Sequence, residues 1–405
     1  MTTVVFVAPY FAETTLRFIA ALARQPGVRL GLVSHDPAEG LPAPLRQRLS
    51  AHWRVDDSLD PDQLEGAVRA LATRLGQPAR LIGTLEELQV PLAEVRRRLG
   101  IAGMSVEAAL NFRDKSRMKD VLAAAQVPCA RHQLCGDAGA CRSFAARVGF
   151  PLVVKPPAGA GARNTFRVEH DGQLEEWLAA APPRPGQAAL LEEFVIGQEH
   201  SFDSITLGGR TVWSSISRYQ PTPLEVLHNP WIQWCVVLPR DVSGPEFAAI
   251  REHGPRALAA LGMDTGISHL EWFRRGDGSI AISEVAARPP GAQFTTLISY
   301  AHDLDLYRAW ARVAVHDQFE PPERRYAVGA AYLRGQGSGR VRAVYGLEAA
   351  SEVVPLVVEA RFPQPGQPHR PGYEGDGYVI VRHPDTGVVE RALSHIISVI
   401  RVELE

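Results

Sequence analysis

Two glutamates that flank a predicted turn are the first residues in this sequence whose types and spacing could do chemistry. In GISHLEWFRRGDGSIAISEVAARPPGA, residues 266–292, two runs of alternating apolar residues lie on either side of Asp277-Gly278. Because Asp-Gly favours a two-residue type I′ hairpin turn, we expect Glu271 to lie directly opposite Glu284. Two opposed carboxylates repel unless a cation lies between them, and Mg²⁺ accepts a few carboxylates while leaving positions for phosphate oxygens. The pattern therefore indicates either a Mg²⁺ site or a solvated hairpin face on which both glutamates point to water.

Arg288 follows Glu284 by four residues and precedes a Pro-Pro-Gly break that turns the chain abruptly. A guanidinium at that place is a candidate contact for an anion. The alternative for Arg288 is a buried structural salt bridge. His269 precedes Glu271 by two residues and shares its strand face, so it could contact phosphate or substrate, or serve as a satisfied structural histidine.

A lysine followed by a glycine-rich loop indicates a second group of candidates. In LVVKPPAGAGARN, Lys155 ends a predicted strand, and Gly159 and Gly161 follow it. Glycines let backbone N–H groups converge on an anion, and the lysine adds a positive charge. The GxxxxGK[ST] pattern of a P-loop is absent. The segment predicts a phosphate site of another kind or, alternatively, an ordinary glycine-rich turn.

The segment LEEFVIGQEHS joins two further predicted strands and has the residue types that a nucleoside needs. Glu192, Glu193, Phe194 and Val195 form an acidic-then-apolar link, and Glu199 follows. An adenine ring takes an apolar slot with backbone hydrogen bonds, and ribose hydroxyls take a carboxylate. Taken singly, each of these glutamates is better explained as a surface charge.

A histidine- and tryptophan-containing segment, LHNPWIQW, lies between predicted elements where a substrate could bind. His228, Asn229 and Trp231 are its candidate substrate contacts. For Trp231 and Trp234, packing in the core is the alternative.

Predicted elements place these residues in an α/β fold, with α+β character from residue 111 onward. The first 100 residues alternate strands and helices, which indicates a parallel sheet covered on both faces, without a GxGxxG signature. A helix is predicted over 111–127, and another from about Phe294 to Val315. We predict four segments, 1–110, 111–190, 191–320 and 321–405, the last rich in short strands with one helix near 387–399.

Composition excludes several functional classes. The 405 residues suit two or three domains, and a net charge of −2 argues against a broad nucleic-acid surface. No basic segment precedes the N-terminal apolar run, and no run is long enough to cross a membrane. The four cysteines match no common zinc spacing, and we expect reduced thiols in a cytoplasmic protein.

Taken in order, the motifs resemble the ATP-grasp superfamily over residues 111 to about 300. Those motifs are Lys115, Lys155 with its glycine loop, LEEFVIGQE, Glu271, Glu284 and Arg288. The resemblance implies an N-terminal lobe (1–110), a lid subdomain (111–190), a catalytic subdomain (191–320) and a C-terminal subdomain (321–405). It implies these contacts: phosphates with Lys115, Lys155 and the 159–164 lid; adenine with Glu192, Glu193, Phe194 and Val195; ribose with Glu199; Mg²⁺ with Glu271 and Glu284; the oxyanion with Arg288.

The resemblance also implies an activity, the joining of a small carboxylate to an amine through an acyl phosphate formed from ATP. SHLE together with EVAAR is similar to the subgroup of L-amino-acid ligases and carnosine-synthase-like enzymes. One position departs from many relatives, since Ala286 stands where they have an asparagine two residues after the second metal glutamate. The implied cofactors are ATP and Mg²⁺, with Mn²⁺ as a substitute, and a homodimer is compatible with the family.

Two other functions stay open at this point. One is a different ATP-grasp ligase that carboxylates or formylates a small metabolite or modifies a peptide tail. The other is a nucleotide-binding regulatory protein without catalysis, against which the presence of Lys155, Glu271, Glu284 and Arg288 argues.

Overall fold

The computed structural model describes residues 1–159, 164–229, 232–370 and 372–405. The chain begins with a lobe in which strands and helices alternate, as predicted. Its elements are β1 (Thr2–Val7), α1 (Glu13–Ala23), β2 (Val28–Ser34), α2 (Ala43–Arg46), β3 (Ala51–Arg54), α3 (Pro61–Leu75), β4 (Arg80–Gly83) and α4 (Gln89–Leu99). The four strands form a parallel sheet in the order β3-β2-β1-β4. The short edge strand β3 lacks an apolar run and was not predicted.

The helix predicted over 111–127 was wrong as a single element. The chain forms α5 (Val106–Arg113) and α6 (Lys115–Ala124), separated by Asp114. The Asp114 carboxylate accepts from the amides of Ser116 at 2.9 Å and Arg117 at 3.0 Å, which is the hydrogen bonding of a helix N-cap. This break places Lys115 at the first position of a helix, where its side chain faces a cavity.

A small antiparallel sheet follows. Its elements are β5 (His132–Cys135), α7 (Ala138–Val148), β6 (Leu152–Lys155), β7 (Phe166–Val168), α8 (Asp171–Ala180) and β8 (Ala189–Glu193). The strand order is β5-β8-β6-β7. Residues of α7 and α8 pack with the sheet in one apolar cluster, and the sheet holds Lys155 and Glu192 on neighbouring strands.

The rest of the chain builds an eight-stranded sheet and its covering helices. Its elements are β9 (Gln198–Leu207), β10 (Arg210–Gln220), α9 (Pro223–His228), β11 (Trp234–Leu238), α10 (Ala248–Leu261), β12 (Gly266–Arg274), β13 (Ile280–Ala286), α11 (Phe294–His302), α12 (Leu306–His316), β14 (Ala327–Leu333), β15 (Val341–Tyr345), β16 (Val357–Arg361), β17 (Gly377–His383), α13 (Thr386–Val399) and β18 (Arg401–Leu404). The order is β13-β12-β9-β10-β11-β14-β17-β16, and β15 pairs with β18. This sheet takes strands from both sides of residue 321, and the predicted segment boundaries stay a prediction.

The helix predicted from Phe294 to Val315 was also wrong as one element. It ends at His302, because Asp303 adopts a left-handed conformation with φ of 55°. Asp305 then caps α12 by accepting from the Arg308 amide at 3.0 Å. Aromatic residues of α12 pack against α1, with the Phe18 and Trp310 ring centroids 4.8 Å apart. One apolar core thus joins the N-terminal lobe to the large sheet.

The hairpin of β12 and β13 has the predicted pairing but not the predicted turn. Glu271 pairs with Glu284 in the sheet register. The loop is three residues long, since Arg275 donates to the Ser279 carbonyl at 2.8 Å and Gly278 donates to Arg275 at 3.0 Å. Asp277 does not have the positive φ that a type I′ turn requires, whereas Gly278 has φ of 84°.

A β-bulge restores the register that the longer loop would have shifted. Trp272 pairs with Ile282, so Ser283 is an extra residue on β13 before Glu284. Without this extra residue, a one-position slip would turn Glu284 to the opposite face of the sheet. Loop and bulge together place both glutamates on one face.

Within the described ranges, no helix combines the length and the apolar character that crossing a membrane requires. The four cysteines are free thiols.

Candidate active site

A cavity of about 630 Å³ lies between the small sheet and the large sheet. Residues predicted from the sequence line it from both sides. They are Lys115, Lys155, Gly159, Glu192, Glu193, Phe194, Val195, Glu199, His228, Asn229, His269, Glu271, Glu284 and Arg288. The two remaining candidates, Gly161 and Trp231, lie outside the described residues. The fold therefore collects side chains that are up to 173 positions apart in the sequence, from Lys115 to Arg288.

The carboxylate pair lies on one wall of this cavity. Lys115 Nζ donates to Glu284 Oε1 at 2.8 Å, and His269 Nε2 lies 3.5 Å from Glu271 Oε1. Burial favours the neutral acid, but Lys115 and Lys155 outweigh it and hold the pKa of Glu284 at about 2. Glu284 is therefore ionised at neutral pH, as a ligand for a cation must be.

The donor set determines how a metal would be held. Among the described residues, no group of three or more His, Cys, Asp or Glu side chains is placed to hold a metal ion. Two paired carboxylates suit Mg²⁺, which keeps several water or phosphate ligands. Ala286, which replaces the asparagine of many relatives, lies opposite His269 and lines the cavity without an oxygen ligand.

Lysines from two elements converge on Glu192. Lys155 Nζ lies 2.9 Å and Lys119 Nζ 3.4 Å from Glu192 Oε1. Burial alone would raise the pKa of Glu192, but Lys119 and Lys155 lower it. Lys119 is completely buried and also donates to the carbonyl of the bulged Ser283 at 2.9 Å. The sequence did not assign Lys119 to the site, although its place one helical turn after Lys115 was a usable signal.

Arg288 both lines the cavity and forms a buried ion pair. Its Nη2 donates to Glu86 Oε2 at 3.1 Å, and Glu86 Oε1 accepts from Arg113 at 2.9 Å. Glu86 is 5% exposed and comes from the N-terminal lobe. Burial alone would lower the pKa of Arg288, but Glu86 outweighs burial and raises the pKa, so the guanidinium stays charged. No sequence motif indicated Glu86, since its contacts cross between lobes.

The link between the two sheets forms a slot. Glu193 holds Arg275 at 2.8 Å, and the Phe194 amide donates to the Pro151 carbonyl at 3.0 Å. A Cβ atom on Gly197 would lie 2.4 Å from the Arg274 carbonyl oxygen, so only glycine allows the link to pass β12 this closely. The Arg167 guanidinium lies 4.1 Å from the Phe194 ring centroid and covers one side of the slot.

Glu199 lies deeper, where β9 meets β12. It is 7% exposed and pairs with Phe273. Burial and the nearby Glu271 raise the pKa of Glu199 well above its usual range, so its carboxyl group favours the protonated form. A protonated carboxyl both donates and accepts hydrogen bonds, which suits contact with hydroxyl groups.

Four aromatic residues that line the cavity form an aromatic wall: Tyr219, Trp234, Phe294 and Tyr373. The Trp234 ring lies 5.6 Å from Tyr219 and 4.8 Å from Tyr373 between centroids. Trp234 is 1% exposed, so it belongs to the core and to the cavity wall at once. Tyr219 OH reaches His269 Nε2 at 3.4 Å, which joins the aromatic wall to the carboxylate pair.

His269 has a buried partner that the sequence did not indicate. Its Nδ1 lies 2.6 Å from Asp203 Oδ1 on β9. Burial alone would lower the pKa of His269, but Asp203 and Glu271 raise it to about 9. The only sequence signal for Asp203 is strand parity with Glu199 and Ser201, which is not specific.

Two kinds of surface thus meet in one cavity. The charged wall, formed by Lys115, Lys155, Glu192, Glu271, Glu284 and Arg288, is suited to polyphosphate and metal. The aromatic wall offers shape and apolar contact to an organic substrate, as the walls of small-molecule pockets generally do.

Comparison with known proteins gives consistent matches. The ATP-grasp domain family matches residues 120–301. An L-arginine-specific L-amino acid ligase of Bacillus subtilis is 24% identical over 278 residues, which cover 66% of this chain and 66% of that protein. A D-alanine–D-alanine ligase of Desulforudis audaxviator (strain MP104C) is 31% identical over 260 residues, 58% of this chain and 80% of that protein.

The fold has a match over its whole length. The crystal structure of an L-amino acid ligase from Bacillus licheniformis aligns with a TM-score of 0.79, covering 100% of this chain and 99% of that chain at 18% identity. At this identity the likeness shows the fold, and the family rests on the sequence matches. The resemblance predicted from the ordered motifs is confirmed, and this chain belongs to the ATP-grasp superfamily.

Proposed function

We propose that this protein is an ATP-dependent carboxylate–amine ligase that forms an amide bond through an acyl phosphate and releases ADP and phosphate. The observation that carries the proposal is the pairing of Glu271 with Glu284 in one cavity with Lys115, Lys155 and Arg288. Ligase names among the relatives support the reaction class, since the B. subtilis and D. audaxviator proteins are an L-amino acid ligase and a D-alanine–D-alanine ligase.

The nucleotide occupies the small-sheet side of the cavity in this proposal. Glu192, Glu193, Phe194 and Val195 lie at the adenine, with the Val195 backbone offered to the ring, and Glu199 meets the ribose. Within the described part of the chain, the Val195 amide has no hydrogen-bond partner, which supports this role. Lys115, Lys155 and the loop that begins at Gly159 contact the phosphates.

Glu271 and Glu284 hold Mg²⁺ in this proposal, and Mn²⁺ is an accepted substitute. When bound, the ion neutralises charge on the terminal phosphates. Lys115 donates to Glu284, and in this proposal it also contacts phosphate, so phosphate binding would draw the lysine away and release the carboxylate. Nucleotide and metal are therefore expected to bind together more tightly than either alone.

The residues then act in sequence. An oxygen of the substrate carboxylate attacks the γ-phosphorus of ATP, and the bond to the ADP oxygen breaks. The amine attacks the acyl carbon, a tetrahedral oxyanion forms beside Arg288, and phosphate leaves with the C–O bond electrons as the amine loses its proton. Glu86 holds the Arg288 guanidinium in place, and His269 lies where it can contact the substrate.

Amino acids are the proposed substrates. The aromatic wall and the segment with His228, Asn229 and Trp231 would contact the organic parts of both substrates. Relatives that join amino acids support this class. A second candidate is another ATP-grasp ligase, favoured by the likeness to N5-carboxyaminoimidazole ribonucleotide synthetase from Thermotoga maritima, with a TM-score of 0.72.

Isotope transfer tests the proposal most directly. The protein is incubated with ATP, Mg²⁺ and pairs of amino acids that both carry ¹⁸O in their carboxylates. We expect phosphate release that needs both amino acids, with one ¹⁸O atom appearing in the phosphate. Release of AMP, or unlabelled phosphate, would contradict the acyl-phosphate route.

Two variants serve as controls. Arg288→Ala is expected to lower release by about 10²–10³-fold, while Arg69→Ala, which removes an exposed helix-surface arginine, is expected to leave it unchanged. Release with bicarbonate or formate in place of the second amino acid would favour the other ligase class.

A further inference from the structure

A buried aspartate lies directly behind His269. Asp203 on β9 is paired in register with His269 on β12, and its side chain is 1% exposed. Asp203 Oδ1 lies 2.6 Å from His269 Nδ1. Asp203 itself does not line the cavity, so it acts on a ligand only through its neighbour.

The aspartate is itself held from behind. Ser201 Oγ donates to Asp203 Oδ2 at 2.8 Å, and the Ser201 and Ser217 hydroxyl oxygens lie 2.7 Å apart. Both carboxylate oxygens are therefore engaged, and the carboxylate plane is fixed. Ser201 and Ser217 are buried and register partners on β9 and β10, so rigid strands support the contact.

The His269 imidazole connects the fixed Asp203 carboxylate to the cavity wall. An ionised carboxylate only accepts hydrogen bonds, so Nδ1 carries a proton, and Nε2 can orient a second carboxylate only as an N–H donor. The opposite nitrogen, Nε2, then faces Glu271 Oε1 at 3.5 Å and Tyr219 OH at 3.4 Å. A carboxylate behind an imidazole is a known way of fixing ring orientation next to a metal site.

We propose that Asp203 is a positioning residue that holds the His269 ring so that Nε2 orients the Glu271 carboxylate for metal binding. The inference rests on the proposed function, because that function makes Glu271 a metal ligand. Glu284 is oriented differently, by Lys115, so the two glutamates of the hairpin have separate supports.

A purely structural hydrogen bond is the competing explanation, and the chain contains a matched control. Ser204 and Ser268 follow and precede Asp203 and His269 by one position on the same two strands, with their hydroxyl oxygens 2.7 Å apart. Because neighbouring strand residues face opposite sides, this pair points away from the cavity. Ser204→Ala removes a buried hydrogen bond of the same strands without touching the site.

Proton NMR of the metal-free protein tests the contact itself. A short bond to a carboxylate shifts the Nδ1 proton of His269 strongly downfield. We expect this resonance in the natural sequence and in Ser204→Ala, and its loss in Asp203→Asn and His269→Gln. Persistence of the resonance in Asp203→Asn would overturn the proposal, whatever the activity of the protein.

Metal binding tests the consequence. We expect Asp203→Asn to weaken Mn²⁺ binding in the presence of ADP by about 10–100-fold. Electron paramagnetic resonance measures this binding. ADP binding without metal should change by less than about twofold in Asp203→Asn. In Ser204→Ala, both Mn²⁺ binding and ADP binding should change by less than about twofold. Equal weakening in Asp203→Asn and Ser204→Ala would show that only strand packing matters.

A double-variant cycle separates positioning from stability. If Asp203 acts through His269, Asp203→Asn in the His269→Gln background adds no further loss of metal affinity or kcat. Additive losses would refute that route. Should Asp203→Asn fold poorly, Ser201→Ala loosens the same carboxylate more gently and should shift metal affinity in the same direction. If the natural-sequence protein joins no substrates while Asp203→Asn still weakens Mn²⁺ binding, the ligase function is contradicted and the positioning role of Asp203 stands.

Discussion

The two walls of the cavity are built on different physical principles. On the charged wall, opposite charges from separate elements hold one another: Lys155 with Glu192, Lys115 with Glu284, and Arg288 with Glu86. On the aromatic wall, rings pack against rings, as where Tyr219 lies against Trp234 with centroids 5.6 Å apart. Charge thus fixes one wall, and shape fixes the other.

The difference indicates how chemistry and selectivity are divided. Removing one partner of a buried pair leaves the other charge uncompensated, so the charged wall tolerates little change. An apolar wall discriminates substrates by about 1–3 kcal/mol per methylene and can be reshaped without losing the fold. We therefore expect changes on the charged wall to remove turnover, and changes on the aromatic wall to alter substrate preference.

The largest effect is expected on the charged wall at Arg288. Arg288→Ala removes the guanidinium proposed to stabilise the oxyanion and leaves the buried Glu86 with Arg113 alone, so kcat should fall by about 10²–10³-fold. Steady-state phosphate release measures this, with ADP binding by calorimetry as the control. A fall in ADP affinity that accounts for the whole loss would show that Arg288 serves nucleotide binding instead.

A smaller effect is expected on the aromatic wall. Tyr373→Ala removes a ring from the aromatic wall and should raise KM for one amino-acid substrate by about tenfold, while KM for ATP stays nearly constant. Tyr345→Ala is the matched control, because Tyr345 is 53% exposed and lies outside the cavity. If KM for ATP rises in parallel, the two walls are not separate in function.

At the junction of the two walls, His269 should make stability depend on pH. The pKa of His269 is about 9 in the folded chain, against 6.5 for the free side chain. Its stabilising contribution is present in full below pH 6.5 and is lost as pH rises through about 9. Between pH 6.5 and about 9, the free energy of unfolding should therefore decrease less with pH in His269→Gln than in the natural sequence.

Urea unfolding of the metal-free protein at the two ends of that window measures the effect. His253→Gln, on the exposed side of α10, is the control and should keep the natural pH dependence. A slope in His269→Gln equal to that of the natural sequence would mean that another group titrates there.

The smallest effect is expected at the loop that carries the charged wall. Gly278→Ala places a side chain where φ is 84°, which costs about 1 kcal/mol of folding free energy. Pairing of β12 with β9 holds the strand independently of the loop, so kcat should stay the same. Urea unfolding and phosphate release measure the two quantities, and a large loss of kcat would show that the loop controls the glutamates.

Much of the charged wall could be predicted from the sequence, because its members lie in local patterns. The alternation around Asp277-Gly278 predicted that Glu271 and Glu284 would pair, even though the loop is longer than expected and Ser283 bulges. The errors at Asp114 and Asp303 have one cause. A polar residue that ends one helix, or caps the next, looks like a surface position of a continuous helix.

Strand and helix periodicity, the glycine loop and the order of the charged motifs by themselves determined the family, the parallel lobe and most cavity-lining residues. Those properties follow from neighbours in the chain, whose spacing is visible in the sequence. Only the tertiary structure decided that Glu86 holds Arg288, that Lys119 is buried under Glu192, and that Asp203 supports His269. These contacts join positions separated by 202, 73 and 66 residues, and such pairs are set by how whole sheets and lobes pack.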